Sequence, residues 1–523
     1  MTTSAPASTA SRDAVTVTAW NVVSRVTGLA RVIVLGGALG ATRLADTYQA
    51  SNQISNVLFE LLAAGTLSAV LVPGLVARIA RNDVDAARAF AGLVLGRVLL
   101  IVTPLVVVGV VFAKPLMRIV FTGNSGASHD VQVRLGVFLL FFVLPQLVLY
   151  AFGALITALL HAAGRFAAAA VAPVANNLVV IAGLGWFWAR GGEGLDLSVA
   201  DRWLLGATAL GGVAAMTLVP SVAAWRAGLG VVPRLGHRAE RTGIGADALW
   251  ASLVLLPAQV VAFGSIVVAG HAAGGVAAYQ IAFTFFLLPH ALVGHPTATV
   301  LYPRLAAAFV ADDKTTMRRL SADGLEVIIS VLSIAGACAA ALSPWLVRVV
   351  AVGELESGRG AALTATALAW LAIGLPSYAG VLLLSRVSFA GSDLKVPAYA
   401  AMLGAAGAVG VLGFASTAQT DGSTVALVAI AHSVMVTIAA TIMLVATATS
   451  GVLELRLMGL IRYVGAAVIA GGVARFVANS LPDGEGRAPA LAIVVGAAAV
   501  GIVVYALGLV AMGQRSRPRL AAA

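Results

Sequence analysis

Charged side chains are scarce in this sequence of 523 residues. Asp, Glu, Lys and Arg together make up 11% of it, and hydrophobic residues make up 60%. A soluble globular domain carries about 25% charged residues, so this composition excludes a soluble protein and a receptor with a large extramembrane head. The sequence therefore predicts an all-α polytopic membrane protein.

Cysteine is nearly absent as well, because Cys338 is the single one. One cysteine excludes a disulfide framework and a cysteine-based metal cluster. His290 and His295 are five residues apart, which is not the spacing of a helical zinc site, and the chain has no phosphate-binding glycine loop or GxSxG motif. We therefore expect no metal, no cofactor and no catalytic residue. Any energy input would instead come from the membrane potential or from a monovalent cation.

Long apolar runs are abundant. A membrane span needs about 18 or more apolar residues, and the sequence offers fourteen such runs. The first follows a polar stretch without a convincing cleavage site, so we expect it to be retained. The predicted spans lie at 14–40, 46–72, 89–113, 131–160, 167–189, 203–225, 246–269, 274–300, 321–350, 362–385, 397–416, 424–447, 458–480 and 489–512.

The basic residues indicate how these spans are oriented. With a cytoplasmic amino terminus, the inside segments hold 20 of the 33 Lys and Arg residues and the outside segments hold 10, while Arg25, Arg31 and Arg97 fall within spans. Cytoplasmic loops are enriched in Lys and Arg, so we expect a plasma-membrane protein with both termini in the cytoplasm. The net charge of +11 then reflects topology, and no nucleic-acid partner is expected.

A short internal repeat links the two halves of the chain. Residues 71–88 and 301–318 coincide at six positions when offset by 230, and Pro73 then aligns with Pro303. Each stretch follows an even-numbered span on the cytoplasmic side. Duplicated halves are typical of transporters, although Ala- and Leu-rich stretches also match one another by chance.

Duplication of the first six spans predicts two parallel six-helix lobes followed by a helix pair. Such a duplication favours a transporter, because it is not expected of a channel or a receptor. The expected segments are a cytoplasmic tail 1–13, an N-lobe 14–226 with spans 1 to 6, a cytoplasmic linker 227–245, a C-lobe 246–447 with spans 7 to 12, a C-terminal helix pair 448–512 and a cytoplasmic tail 513–523.

Two charged residues of opposite sign lie at similar depths in spans 1 and 2. A charge inside a span costs about 2.5–3.5 kcal/mol on insertion scales, so it needs a partner or a hydrated cavity. At about 1.5 Å per helical residue, Arg25 and Glu60 are equally far from the cytoplasmic ends of their spans. This predicts an ion pair between them or a cavity that hydrates both.

Further polar residues accompany this predicted pair. Asn52, Asn56 and Glu60 recur every four residues and form a polar stripe on one face of span 2. Arg31 has no acid near its depth except Asp46, so it is the better candidate to bind an anionic substrate.

Neutral polar residues in other spans are weaker candidates to line a cavity. Each is equally compatible with a hydrogen bond between helices. They are Gln146 in span 4, Gln259 in span 7, and Gln280 and Thr284 in span 8.

Several motifs resemble those of a known family, the MurJ/MviN lipid II flippases of the multidrug/oligosaccharidyl-lipid/polysaccharide exporter superfamily. The opening motifs are SRVTGLAR at 24–31, ATRLADTYQASNQISN at 41–56 and GTLSAVLVP at 65–73, and APVANNLVVI at 172–181, TVLYPRLA at 299–306 and DLKVP at 393–397 follow. The likeness covers the whole chain. The fourteen spans also fit it, since this family adds two carboxyl-terminal helices to a twelve-helix core.

The resemblance implies a V-shaped pair of six-helix lobes around a cationic cavity. By alternating access, that cavity would carry undecaprenyl-diphosphate-linked disaccharide pentapeptide outward. Arg25, Arg31 and Asp46 match charged residues of the family's first two spans. Where the family typically carries arginine in spans 2 and 8, this chain has Glu60 and Thr284.

The leading prediction is a flippase that moves a polyprenyl-diphosphate-linked glycan, most simply lipid II, for peptidoglycan and cell-wall biogenesis. Its expected partners are that lipid, the bilayer and proteins of cell-wall synthesis. A cation-coupled small-molecule exporter of the same superfamily is an alternative that Glu60 favours. A non-transporting scaffold is another, favoured by the reduced number of arginines. The candidate substrate-binding residues are Arg31, Arg25, Asn56, Glu60 and Asp46.

Overall fold

The structure is a computed structural model. It describes residues 7–79, 83–123, 127–235, 246–356, 358–418, 420–482, 484 and 486–513. Within helices, the side chains of 7–15, 17, 18, 61–77, 79, 127, 246–249 and 251 lie outside this description. Parts of the predicted tails and linker therefore lie outside it, as does the side chain of Pro73. The described residues form helices and turns and contain no strand.

Two compact units divide the chain. The first comprises residues 1–39 and 43–252, and the second comprises residues 253–523 with the turn 40–42. The helices of the first unit are α1 (Ala7–Leu39), α2 (Arg43–Ile79), α3 (Val84–Val111), α4 (Ala113–Val120), α5 (Ala127–Val143), α6 (Gln146–Ala162), α7 (Ala167–Ala189) and α8 (Val199–Arg226).

The helices of the second unit follow a similar order. A π-helical turn, His290–Gly294, joins α10 to α11, and a short 3-10 turn, Gly353–Glu356, precedes α13. The helices are α9 (Ala246–Ala269), α10 (Gly275–Pro289), α11 (His295–Val310), α12 (Lys314–Val350), α13 (Gly358–Ile373), α14 (Leu375–Ala390), α15 (Lys395–Ala415), α16 (Asp421–Thr449), α17 (Leu457–Ser480) and α18 (Arg487–Ala511).

The number of membrane-crossing helices is close to the fourteen predicted. In the described part of the chain, twelve helical segments are long and apolar enough to cross a membrane, and the bent pair α13–α14 raises the count to thirteen. The predicted span 46–72 lies within α2, which is not among them. The side chains of residues 61–77 lie outside the described part of the chain, so the count does not include this span.

Helix boundaries in the two units repeat at the offset of 230. Residues 84–120, occupied by α3 and α4, map onto 314–350, which is α12. The pair α5–α6 similarly maps to within two residues of α13–α14. Asp83 and Asp313 also occupy the same position, and each carboxylate caps its helix by accepting a hydrogen bond from the backbone N–H three residues on, at 2.8 and 2.9 Å. The short sequence match therefore reflects a structural repeat.

A second pair of equivalent residues, Arg88 and Arg318, makes the same kind of hydrogen bond in each unit. Nε of Arg88 donates to the carbonyl oxygen of Gly230, after α8, at 3.0 Å. Nε of Arg318 donates to the carbonyl oxygen of Gly451, after α16, at 2.5 Å. Each arginine thus links the start of a long helix, α3 or α12, to the segment that follows the sixth span of the same unit, α8 or α16.

The helix pair α17–α18 packs against α12. Buried alanines of α17 and α18 contact Leu342 and Trp345, and the hydroxyl of Tyr505 donates to the carbonyl oxygen of Ser330 at 2.7 Å. At the start of α17, Arg456 lies 3.0 Å from Asp323 of α12. Hydrogen bonds to Glu454 and Asp323 raise the pKa of Arg456, so this contact is charged at any physiological pH.

Candidate functional site

The polar stripe of α2 meets a tyrosine of α6. The hydroxyl of Tyr150 donates to Oδ1 of Asn56 at 3.3 Å, and Nδ2 of Asn56 donates to Gln53 at 3.4 Å. One turn earlier, Nδ2 of Asn52 donates to the carbonyl oxygen of Tyr48 at 2.8 Å. Spacing of about 3.6 residues per turn places positions 48, 52 and 56 on one face. The predicted stripe therefore extends to Tyr48, which the sequence analysis missed.

Arg31 of α1 lies within electrostatic range of this group. It is half-buried, and its charge acts on the phenol groups of both Tyr48 and Tyr150. Among the described residues, no acidic side chain lies within ion-pair distance of it. We call Arg31, Tyr48, Asn52, Asn56 and Tyr150 the Arg31 cluster. It combines an uncompensated positive charge with hydroxyl and amide donors, which is the chemistry that binds a phosphate or carboxylate.

Packing and a buried amide hold α1 and Tyr150 in place. Nδ2 of Asn177 on α7 donates to Oγ1 of Thr27 at 3.1 Å and to the carbonyl oxygen of Ser24 at 3.3 Å, one turn before Arg31. The ring of Phe59 packs on that of Tyr150, with centroids 5.0 Å apart. Asn177 therefore links α7 to α1, and these hydrogen bonds fix the height of Arg31 relative to α7.

The predicted contact between Arg25 and Glu60 does not form. Both side chains are exposed, and no ion pair joins them in the described part of the chain. The two helices have different main neighbours, because α1 packs along α7 whereas α2 packs along α5 and α6. Equal depth places two residues at the same height but does not bring their side chains into contact. Glu60 forms no ion pair with Arg31 in the described part of the chain either, so it does not neutralise the charge of Arg31.

Asp46 lies away from any exposed surface. It sits in the first turn of α2 and is fully buried. An acid there interacts favourably with the positive end of the helix dipole. Its position therefore favours a structural role over contact with a large headgroup.

The weaker candidates of the other spans do not join the Arg31 cluster. Gln146 is buried, and its Nε2 has no hydrogen-bond partner in the described part of the chain. Gln259 and Gln280 are half-buried. The hydroxyl of Thr284 donates to the carbonyl oxygen of Gln280 at 3.0 Å, so it is satisfied within its own helix. No metal-binding group of three or more His, Cys, Asp or Glu side chains occurs within the described ranges.

Apolar side chains cover the outside of both units. Large hydrophobic residues are exposed along α3, among them Leu100, Val107 and Val111, and along α18, among them Val503 and Leu507. Such continuous apolar surfaces face lipid in a membrane protein. Long apolar helices in two repeated units, with polar residues inside the first unit, are typical of a multi-pass membrane transporter.

Comparison with known proteins identifies the family of this transporter. The model of the family described as lipid II flippase MurJ matches residues 35–483, and the chain belongs to that family. A probable lipid II flippase MurJ of Rhizobium tropici is 26% identical over 389 residues, which is 72% of this chain and 69% of the relative. A lipid II flippase MurJ of Burkholderia cenocepacia is 26% identical over 402 residues, 74% of each chain.

Solved structures show the same fold. An inward closed conformation of lipid II flippase MurJ matches with a TM-score of 0.76 and 17% identity, over 95% of this chain and 98% of that one. An inward-facing multidrug transporter of the MATE family matches with a TM-score of 0.62 and 17% identity, over 82% of this chain and 94% of that one. The bacterial relatives and the long apolar helices indicate a multi-pass protein of the inner membrane.

Proposed function

We propose that this chain is a flippase that moves lipid II, a polyprenyl-diphosphate-linked glycan, from the inner to the outer leaflet. The observation that carries the proposal is the Arg31 cluster. A diphosphate needs cationic and neutral donors inside the membrane, and this cluster supplies both without an acid to compete for the charge. Family membership supports the same substrate.

Each part of the substrate has a matching feature in the chain. The guanidinium of Arg31 offers two parallel N–H donors to phosphate oxygens, and the half-buried Tyr150 adds a hydroxyl donor when it exchanges Asn56 for the substrate. The polyprenyl tail stays in lipid, against the apolar outer faces. Translocation exposes the cluster first to one side of the membrane and then to the other, and no covalent step is needed.

Orientation and energy supply complete the proposal. Twice as many Lys and Arg residues lie in segments on the side of the termini, which supports cytoplasmic termini. Flipping is coupled to the membrane potential or to a monovalent cation. The partners are the lipid-linked glycan, the bilayer and proteins of cell-wall synthesis.

Depletion of the protein in its own host tests this function. We expect lipid-linked peptidoglycan precursor to accumulate in the inner leaflet, and we expect wild-type but not Arg31→Ala protein to reverse this at equal abundance. A small-molecule exporter, which the exposed Glu60 favours, would instead change drug sensitivity without accumulation. A scaffold would be rescued by Arg31→Ala as well as by the wild type.

A further inference from the structure

Asn177 of α7 forms two hydrogen bonds to α1 inside the first unit. Its side chain is 6% exposed. Nδ2 donates to Oγ1 of Thr27 at 3.1 Å and to the carbonyl oxygen of Ser24 at 3.3 Å. Gly28 adjoins the same amide, since a Cβ built there would lie 3.6 Å from Nδ2 of Asn177. The buried amide therefore contacts the turn of α1 that comes just before Arg31.

The hydroxyl of Thr27 is oriented to accept this bond. It donates to carbonyl oxygens of its own helix, to that of Val23 at 2.9 Å and to that of Ser24 at 3.1 Å. Its hydrogen is thus engaged within α1, and an oxygen lone pair remains to accept from Asn177. The contact therefore needs an oxygen at position 27, which serine supplies and valine does not.

Apolar packing alone does not fix the register of α1. This helix packs mainly along α7, and Val22, Val23 and Val26 on its opposite face are exposed. Helices in lipid are not held together by the hydrophobic effect, so hydrogen bonds between them carry much of the directional information. A slip of one residue would move Arg31 by about 1.5 Å along the axis and turn it by about 100°.

Thr27 and Arg31 lie on the same face of α1. They are four residues apart, which is about one helical turn, so their side chains project in similar directions. From its present position the charge of Arg31 acts on the phenol groups of Tyr48 and Tyr150. The hydrogen bonds that hold Thr27 and Ser24 against α7 therefore also set the direction in which Arg31 points.

We propose that Asn177 is a positioning residue for substrate binding. By holding the register of α1 on α7, it keeps the guanidinium of Arg31 where this group and the hydroxyl of Tyr150 can donate to one phosphate group. Asn177 does not itself bind the substrate, because its amide donors are engaged by α1. The inference rests on the proposed flippase function and adds a residue that acts through Arg31.

The concentration dependence of flipping tests the proposal. Rates are measured in vesicles that hold the full chain and increasing amounts of a fluorescent lipid II analogue. Asn177→Ala should raise the amount that gives the half-maximal rate by about three- to tenfold, the range expected for loss of hydrogen bonds between helices. The maximal rate should change less, because the charge of Arg31 is retained. A helix-packing defect that only removes folded protein would instead lower the maximal rate alone, and this result would overturn the proposal.

The neighbouring asparagine provides a matched control. Asn176 is half-buried, and its Oδ1 lies against Gly212 of α8 and not against α1. Asn176→Ala should therefore leave the half-maximal amount unchanged. At position 27, Thr27→Ser should retain the wild-type value, whereas Thr27→Val should raise it as Asn177→Ala does.

A double-mutant cycle tests whether Asn177 acts through Arg31. In Arg31→Ala protein, Asn177→Ala should have no further effect on flipping, because the group that it positions is gone. If Asn177→Ala slowed flipping by the same factor with and without Arg31, the two residues would act independently and the proposal would be overturned.

A distance measurement without substrate distinguishes failure of this inference from failure of the flippase function. Spin labels attached at Val22→Cys of α1 and Trp186→Cys of α7, two exposed positions, report the register of these helices in full-length Cys338→Ala protein. Asn177→Ala should shift or broaden the distribution of distances, whereas Asn176→Ala should not. Such a change supports the positioning role even in a protein that does not move the lipid II analogue. An unchanged distribution in Asn177→Ala protein overturns it.

Discussion

The hydroxyl of Tyr150 on α6 donates a hydrogen bond to Oδ1 of Asn56 on α2, at 3.3 Å. The bond joins two neighbouring helices of the first unit at a point where the charge of Arg31 also acts on the phenol. Asn56 in turn donates to Gln53, so the three side chains form a short hydrogen-bonded chain. The charge of Arg31 thus acts on a hydrogen-bonded group of neutral side chains inside an apolar unit.

Tyr150→Phe should lower flipping while leaving abundance near the wild-type level. The ring remains and still packs on Phe59, but the hydroxyl donor is lost. A double-mutant cycle with Asn56→Ala should show a coupling energy of about 0.5–1.5 kcal/mol, the net value of one hydrogen bond. Tyr399→Phe changes an exposed tyrosine of α15 and serves as the control. Independent effects of the two substitutions would show that this bond has no role in transport.

Much of the helical content follows from the sequence. Apolar runs predict the spans because only a helix satisfies every backbone group within hydrocarbon. The short match between 71–88 and 301–318 locates a repeat that extends over most helix boundaries of both units. The π-helical turn at His290 depends on packing and leaves no periodic signal in the sequence, whereas Pro145 marks the break between α5 and α6, because proline has no backbone N–H to continue the helix.

The candidate site was only partly predictable. The stripe of Asn52 and Asn56 and the importance of Arg31 follow from spacing and intramembrane charge. The pairing of Arg25 with Glu60 was wrong for this structure, because a count along two helices gives depth and not which side chains meet. The contact of Asn177 with Thr27 does not follow from spacing either, because the two residues lie on different helices.

Arg25→Ala and Glu60→Ala should have additive effects on abundance and complementation. Groups that do not touch have no interaction energy to lose, and additivity then holds within about 0.3–0.5 kcal/mol. The measurement compares the two single variants with the double variant in membranes of a strain that depends on this gene. Recovery of abundance in the double variant would reveal an ion pair between the two residues.

Arg88→Ala and Arg318→Ala should each destabilise their own unit. Each removes one charge-assisted hydrogen bond to a carbonyl oxygen, and because these side chains are partly exposed we expect a loss of about 1 kcal/mol. Thermal unfolding of the purified protein in detergent measures the change. Arg319→Ala removes the exposed neighbouring arginine and should leave the unfolding temperature unchanged. If Arg318→Ala and Arg319→Ala changed the unfolding temperature equally, the hydrogen bonds of Arg88 and Arg318 would not stabilise the protein.

The central claim is that the Arg31 cluster binds the diphosphate of a lipid-linked glycan during flipping. The most direct measurement is the flipping rate of a fluorescent lipid II analogue in vesicles containing wild-type, Arg31→Ala, Arg31→Lys or Arg97→Ala protein. Arg97, half-buried on α3, is a matched control for loss of an intramembrane arginine. Loss of charge-assisted hydrogen bonds worth about 1.5–3 kcal/mol should slow Arg31→Ala by about ten- to a hundredfold.

Arg31→Lys should recover part of the rate, because a point charge replaces the planar pair of donors. Arg97→Ala should flip the analogue as the wild type does. The account predicts that the wild-type protein flips the analogue and that Arg31→Ala flips it at least tenfold more slowly, at equal amounts of protein in the vesicles. Arg31→Ala flipping at the wild-type rate, or a wild-type protein that does not flip the analogue, would contradict it.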